Sequence, residues 1–255
     1  MNGLLRPLKS TIEYQNLLQG LQKGFTQQMV FGLSGSQRSY LFAGLAHAGR
    51  PVLVVTPGET EAGTLVDDLT SLLPGTQVQL FPVWQLLPYQ VLAHSNEVLA
   101  QRLRVLEKIT AGESMLVVTS VEALLRRLAP PEVFRSAGLE LSLGQRVDLD
   151  QFRLELVKMG YERVELVEGR GQFSSRGGII DIYPMTAANP VRLEFFDDEV
   201  DSIRHFDVAN QRSLDKLKQI RITPCRELVA TPEAWQRCAE NYELDYRNQL
   251  KKLQR

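Results

Sequence analysis

The chain has little with which to hold a metal or a redox cofactor. Two cysteines, Cys225 and Cys238, and three histidines, His47, His94 and His205, are scattered through 255 residues without ligand spacing. No zinc or other metal site is expected from them. So few cysteines also exclude a disulfide framework and point to a reduced, cytoplasmic setting. No apolar run approaches the roughly 18 residues that cross a bilayer. The first thirty residues mix Arg6, Lys9, Glu13 and Lys23 with polar side chains, so no secretory leader is expected. An excess of one charge is missing too. Lys and Arg number 29 against 30 Asp and Glu, a formal net charge of −1. That balance excludes a broad electrostatic attraction to DNA or to anionic membranes.

What is present first is alternation. Residues 52–56 form a short apolar run closed by Pro57 and Gly58, the pattern of a parallel strand covered on both faces. A helical stretch over 59–72 stops at Pro74, and strands follow at 78–81 and 115–120. Between them a helix is expected over 97–109, with Leu99, Leu103 and Leu106 on one stripe. Arg102, Arg104 and Lys108 then form its polar side. Another helix starts over 121–128 and ends before Pro130. Strand–helix alternation of this kind predicts a parallel sheet.

Ahead of this sheet lies Gly32-Leu33-Ser34-Gly35-Ser36-Gln37-Arg38-Ser39. It follows an apolar Met29-Val30-Phe31, expected as a strand, and opens a helix. The pattern is that of a phosphate-binding P-loop, G-x-x-x-x-G-K-[ST], with two positions changed. Gly32 and Ser39 match, and Gly35 lies between them. Gln37 stands in place of the second Gly and Arg38 in place of the Lys. A Cβ at 37 disfavours the positive φ that turns backbone N–H groups toward phosphates. Arg is a longer planar fork than the compact Lys ammonium. The buried strands end in Thr56 and Ser120, where a Walker-B motif would place an acid. ATP hydrolysis is therefore not expected.

Past Pro130 and Pro131 the pattern changes. Asp148 suits an N-cap with Gln151 three residues on, and Gly160 suits the close of that helix. Residues 163–167 read as a strand. Gly177 and Gly178 mark a hairpin into 179–183, and Asp197-Asp198 joins strands over 191–196 and 199–206 in a second hairpin. The last thirty residues read as helical, with Arg247, Lys251, Lys252 and Arg255 on a solvated face. The expected organisation is a degenerate P-loop-like α/β domain at 1–137, an inserted antiparallel α+β domain at 138–224, and a helical segment at 225–255 returning to the first.

Strand alternation makes its own case at 191–196. Val191, Leu193 and Phe195 share one face, and Arg192, Glu194 and Phe196 the other. A Phe beside an Arg and a Glu on an outward face fits a protein-binding surface, where aromatics and Arg are enriched. Arg176 joins that face if the hairpins pair. Because these side chains point away from Leu193, truncating them is expected to leave the fold intact. Trp84 and Tyr89, set among Pro and Leu, read as core rather than base-stacking residues.

These motifs carry a resemblance. The changed P-loop, Phe-Pro-Val-Trp-Gln-Leu-Leu-Pro-Tyr at 81–89 and Val-Val-Thr-Ser-Val-Glu-Ala-Leu at 117–124 resemble the first domain of UvrB. Arg-Gly-Gly-Ile-Ile-Asp-Ile-Tyr-Pro at 176–184, followed by Val-Arg-Leu-Glu-Phe-Phe-Asp-Asp-Glu-Val-Asp-Ser-Ile-Arg at 191–204, is similar to the UvrA-binding domain shared by UvrB and the bacterial transcription-repair coupling factors. UvrB needs an intact P-loop and carries a long aromatic hairpin after the Pro-Tyr segment. Here Gln37 and Arg38 break the first, and only residues 90–96 separate Tyr89 from the next helix. The sequence is thus similar to the UvrB-like N-terminal module of the coupling factors rather than to UvrB, an ATP-dependent repair helicase subunit.

The resemblance implies a recruitment module without catalytic residues or cofactor. It implies UvrA as partner, with RNA polymerase and DNA engaged by other domains of the longer protein. UvrA contacts are implied for Arg176, Arg192, Glu194 and Phe196. Arg170, Gln172 and Ser174 lie on the same approach, and Ser174 stands where UvrB has a further Arg.

Overall fold

The computed structural model describes residues 4–74, 78–84, 92–229 and 232–253. Tyr89 falls outside them. The chain divides into two compact units, Met1–Arg127 and Leu128–Arg255.

The first unit runs α1 (Arg6–Lys9), α2 (Ile12–Gln22), α3 (Ser36–His47), β1 (Val52–Thr56), α4 (Glu59–Leu72), β2 (Val78–Phe81), α5 (Leu92–Thr110), β3 (Leu116–Ser120) and α6 (Val121–Leu124). The strands form a parallel sheet in the order β1-β3-β2. Ala43 of α3 and Ala62 and Leu69 of α4 pack with Val54, Leu116 and Val118 on one face. Val105 of α5 packs with Phe81, Met115 and Val117 on the other.

Five expectations change here. No strand precedes the loop at residue 32: the segment is irregular, with Met29 and Phe31 71% and 79% exposed. Among the described residues, the sheet therefore lacks the strand that would complete a P-loop arrangement. Leu53 and Val55 are exposed, so β1 is covered on one face only. Arg102 is not on a polar side but fully buried; its Nη1 donates to the Pro82 carbonyl and its guanidinium lies 3.9 Å from the Phe81 ring centroid. Finally, α5 starts at Leu92 rather than 97, and α6 stops at Leu124.

The second unit contains α7 (Pro131–Ser136), β4 (Leu139–Ser142), α8 (Leu149–Lys158), β5 (Glu162–Arg163), β6 (Gln172–Arg176), β7 (Ile179–Ile182), β8 (Val191–Phe196), β9 (Glu199–Phe206), β10 (Ser213–Leu217), β11 (Gln219–Ile222) and α9 (Pro232–Leu253). A six-stranded sheet has the order β10-β9-β8-β7-β6-β5, antiparallel except for the β5–β6 pair. β4 and β11 form a separate antiparallel ribbon. The Asp148 carboxylate accepts from the Asp150 and Gln151 N–H groups and caps α8, and Gly160 follows its end at φ 94°. Phe152 of α8 lies 6.5 Å from Phe195, so α8 covers the sheet face that carries Leu193 and Ile180. The strand expected over 163–167 is cut to two residues: the Val164 N–H still bonds to Phe173, but Glu165 and Leu166 turn to solvent. The fold class is thus mixed, with one parallel and two antiparallel or mostly antiparallel sheets.

Candidate partner-binding face

The face of the six-stranded sheet opposite α8 is built by register. Ser174, Asp181, Arg192 and Arg204 stand in one cross-strand row, and Arg176, Ile179, Glu194 and Ser202 in the next. Neighbours in and between such rows are close enough for side chains to pair.

Asp181 sits at the centre with 2% of its side chain exposed. It holds Arg192 through both carboxylate oxygens: Arg192 Nε donates to Oδ1 at 2.7 Å and Nη2 to Oδ2 at 2.9 Å. This two-pronged geometry is the strong form of the pair. Arg192 Nη1 also donates to the Gln211 carbonyl at 3.3 Å, and the guanidinium stacks 4.8 Å from the Phe206 ring centroid. The hydrogen bond to Asp181 is the largest influence on Arg192 and raises its pKa above the usual guanidinium value, against the smaller opposing effect of burial. The side chain is only 17% exposed. Arg176 reaches the same Asp181 Oδ2 from the far side at 3.5 Å while its side chain stays 59% exposed. Glu194 accepts from Ser202 Oγ at 2.7 Å and faces Arg204 Nη2 at 3.4 Å.

Phe196 stands apart from this network. It ends β8 with 80% of its surface exposed. Register shifts between Glu194 and Phe195, where Phe195 pairs with Val200 and Asp201 is the extra residue. Such bulges re-aim the side chains beyond them. The tip is also braced. Asp197 takes φ 57°, which Asp tolerates better than most residues. The Val147 N–H donates to the Asp198 carbonyl at 2.7 Å, and Gly144 and Gln145 exchange bonds with Val200. An exposed aromatic is thus held on a rigid hairpin, with Arg176 and the 39%-exposed Ile179 on the same face.

Arg176, Arg192, Glu194 and Phe196 are all on β6 and β8, but their surroundings differ: Arg176, Arg192 and Glu194 are tied into ion pairs within the sheet, and Phe196 is not. Sequence reasoning passed over Asp181. Its signal was a single carboxylate in the apolar run Ile-Ile-Asp-Ile, since a charge on a buried strand implies a partner.

The loop at 32–39 in the first unit closes on itself. Gly32 and Gly35 take φ 82° and 50°. The Ser34 N–H donates to Gln37 Oε1 at 3.0 Å, and Arg38 Nε donates to the Leu33 carbonyl at 3.3 Å. Ser39 Oγ donates to Asp68 Oδ2 at 2.7 Å. Ser120, at the end of β3, accepts from the Ala123 N–H and caps α6.

Residues 139–228, which include this sheet and its α8 cover, match the family model described as the UvrB interaction domain. The likeness extends further. Over 254 residues, 99% of this chain and 22% of the relative, it is 41% identical to the transcription-repair-coupling factor of Bacillus subtilis (strain 168). It is 32% identical over 249 residues, 96% of this chain and 21% of the relative, to that of Staphylococcus aureus (strain Mu50). The chain is thus similar throughout to the UvrB-like N-terminal module of transcription-repair coupling factors, as its motifs indicated, and spans about a fifth of their length. Among the described residues no helix is long and apolar enough to cross a membrane.

Proposed function

We propose that this chain is a non-catalytic module that mimics UvrB and binds UvrA. Within a full-length coupling factor in the cytoplasm it recruits UvrA for nucleotide excision repair of the transcribed strand, while other domains engage RNA polymerase and DNA. The observation that carries this reading is the braced hairpin tip. A phenylalanine 80% exposed beside a mostly exposed arginine is what a protein-binding anchor requires. Phe196 supplies apolar area for a pocket on UvrA. Arg176 faces a carboxylate there, and Glu194 and Arg192 line the edge of the contact.

The test is calorimetry with purified UvrA. Phe196→Ala and Arg176→Ala are each expected to weaken binding by roughly 30-fold or more, the effect of losing ~2 kcal/mol at a hot spot. Wild-type affinity in both variants would place the interface elsewhere.

A further inference from the structure

Of the four side chains assigned to UvrA binding, Phe196 alone stands free, and the group that organises the two arginines is a fifth. Asp181 is buried on the binding face, yet it points its carboxylate along the sheet rather than outward. Both oxygens are engaged by Arg192, and one is approached by Arg176 as well. Two arginines from flanking strands β6 and β8 therefore converge on one carboxylate in the central strand β7. An Arg side chain has several rotatable bonds, and an unsupported one samples many directions on an open sheet face. Against Asp181 the Arg192 guanidinium has one plane and one height, sealed on its other side by the Phe206 ring and the Gln211 carbonyl. Like charge is also managed: without the carboxylate, Arg176 of β6, Arg192 of β8 and Arg204 of β9 would share one sheet face with only Glu194 among them.

We infer that Asp181 is a positioning residue for partner binding: a buried carboxylate that fixes the directions of Arg192 and Arg176 and so presets the charged half of the surface beside Phe196. This rests on the reading of that face as the UvrA contact. Asp181 itself does not enter the interface. Its contribution is preorganisation, which raises affinity by removing the ordering cost that binding would otherwise carry.

The experiment uses the 255-residue chain and two readouts. In the protein alone, the Arg192 Nε–H resonance is expected to be slow to exchange with water in the wild type and fast in Asp181→Asn, with backbone amides of the sheet unchanged. With UvrA, Asp181→Asn is expected to bind roughly tenfold more weakly, the scale on which loss of a supporting contact loosens a site. Arg192→Lys keeps the charge and loses the fork. It is expected to match Asp181→Asn, and the double variant to be no weaker than either, because both remove one and the same arrangement. Arg192→Lys also serves if Asp181→Asn does not fold.

An Arg192 Nε–H signal unaltered by Asp181→Asn overturns the inference without reference to UvrA. Wild-type affinity in a variant whose Arg192 signal has become mobile also overturns it, and leaves the proposed function standing. Failure of the wild-type chain to bind UvrA removes the reading on which the inference rests.

Discussion

At the scale of single residues, facing outward and being exposed are different things. Alternation correctly separates Arg192, Glu194 and Phe196 from Val191, Leu193 and Phe195. It does not say that Arg192 is sealed under Phe206 and Gln211 or that Asp181 lies beneath it. The expectation that truncating Arg192 leaves the fold untouched is therefore revised. Arg192→Ala leaves a carboxylate with 2% exposure only the longer contact to the mostly exposed Arg176, and breaking a buried pair by removing one partner costs about 3–5 kcal/mol. Arg176, more exposed and bonded at longer range, leaves Asp181 still paired when removed, and Phe196 covers nothing. Thermal melts followed by circular dichroism are expected to rank the variants accordingly. Phe196→Ala and Arg176→Ala stay near the wild type. Leu193→Ala, a fully buried truncation, loses about 2–5 kcal/mol, and Arg192→Ala falls with it rather than with Phe196→Ala. Equal melting temperatures for Arg192→Ala and the wild type would show that the pair carries no stability.

At the scale of elements, the hairpins depend on one close approach. The Gly178 carbonyl accepts from the Phe195 N–H at 2.7 Å, and a Cβ on Gly178 would meet the Phe195 carbonyl oxygen at 2.8 Å. That contact is backbone, so it does not swing away. Gly178→Ala is expected to push β7 from β8, cost about 1–3 kcal/mol as an overpacking change, and weaken UvrA binding by disturbing the strand that carries the tip. Urea unfolding beside calorimetry checks both, and unchanged stability would show that the strands separate freely. Elements of this kind were legible in the sequence because local chemistry dictates them. Gly177 and Gly178 sit at the turn expected of them, as do Asp197 and Asp198, Asp148 caps α8, and the stretches at 59–72 and 78–81 carry their periods cleanly. What was not legible depends on distant partners. Met29, Val30 and Phe31 have a strand's composition but no pairing edge among the described strands. The run at 163–167 pairs with β6 only at Arg163, beside Glu162, and then leaves. Arg102 sits at a charged position of an amphipathic pattern, yet the Pro82 carbonyl and the Phe81 ring take it into the core. The candidate face followed the same division: alternation and turn chemistry found Phe196 and both arginines, whereas Asp181 becomes visible only when three strands are laid in register.

At the scale of the whole chain, the role proposed above is recruitment rather than catalysis, and the chain spans about a fifth of the length of the relatives it matches. The loop at 32–39 is the place where that proposal is most exposed, because its residue pattern resembles a P-loop with two positions changed. A working phosphate loop leaves its backbone N–H groups and its hydroxyl directed at the ligand. Here the Ser34 N–H is satisfied by Gln37, Arg38 turns back to the Leu33 carbonyl, and Ser39 is held by Asp68. Each substituted side chain thus bonds within its own loop, and a phosphate would have to displace these bonds and then meet a Cβ at residue 37. The buried strand β3 ends in Ser120, whose hydroxyl caps α6, rather than in an acid that could bind the metal bridging the phosphates. A fluorescent ATP analogue with Mg²⁺ is therefore expected to show no saturable binding at micromolar concentration and no turnover. Changing Gln37→Gly and Arg38→Lys together is expected to restore neither, because β3 still ends in Ser120 rather than in an acid and Ser39 is still committed to Asp68. Turnover in that double variant would mean that the loop alone limits the chemistry, and micromolar binding in the wild type would make this unit a nucleotide sensor rather than a scaffold.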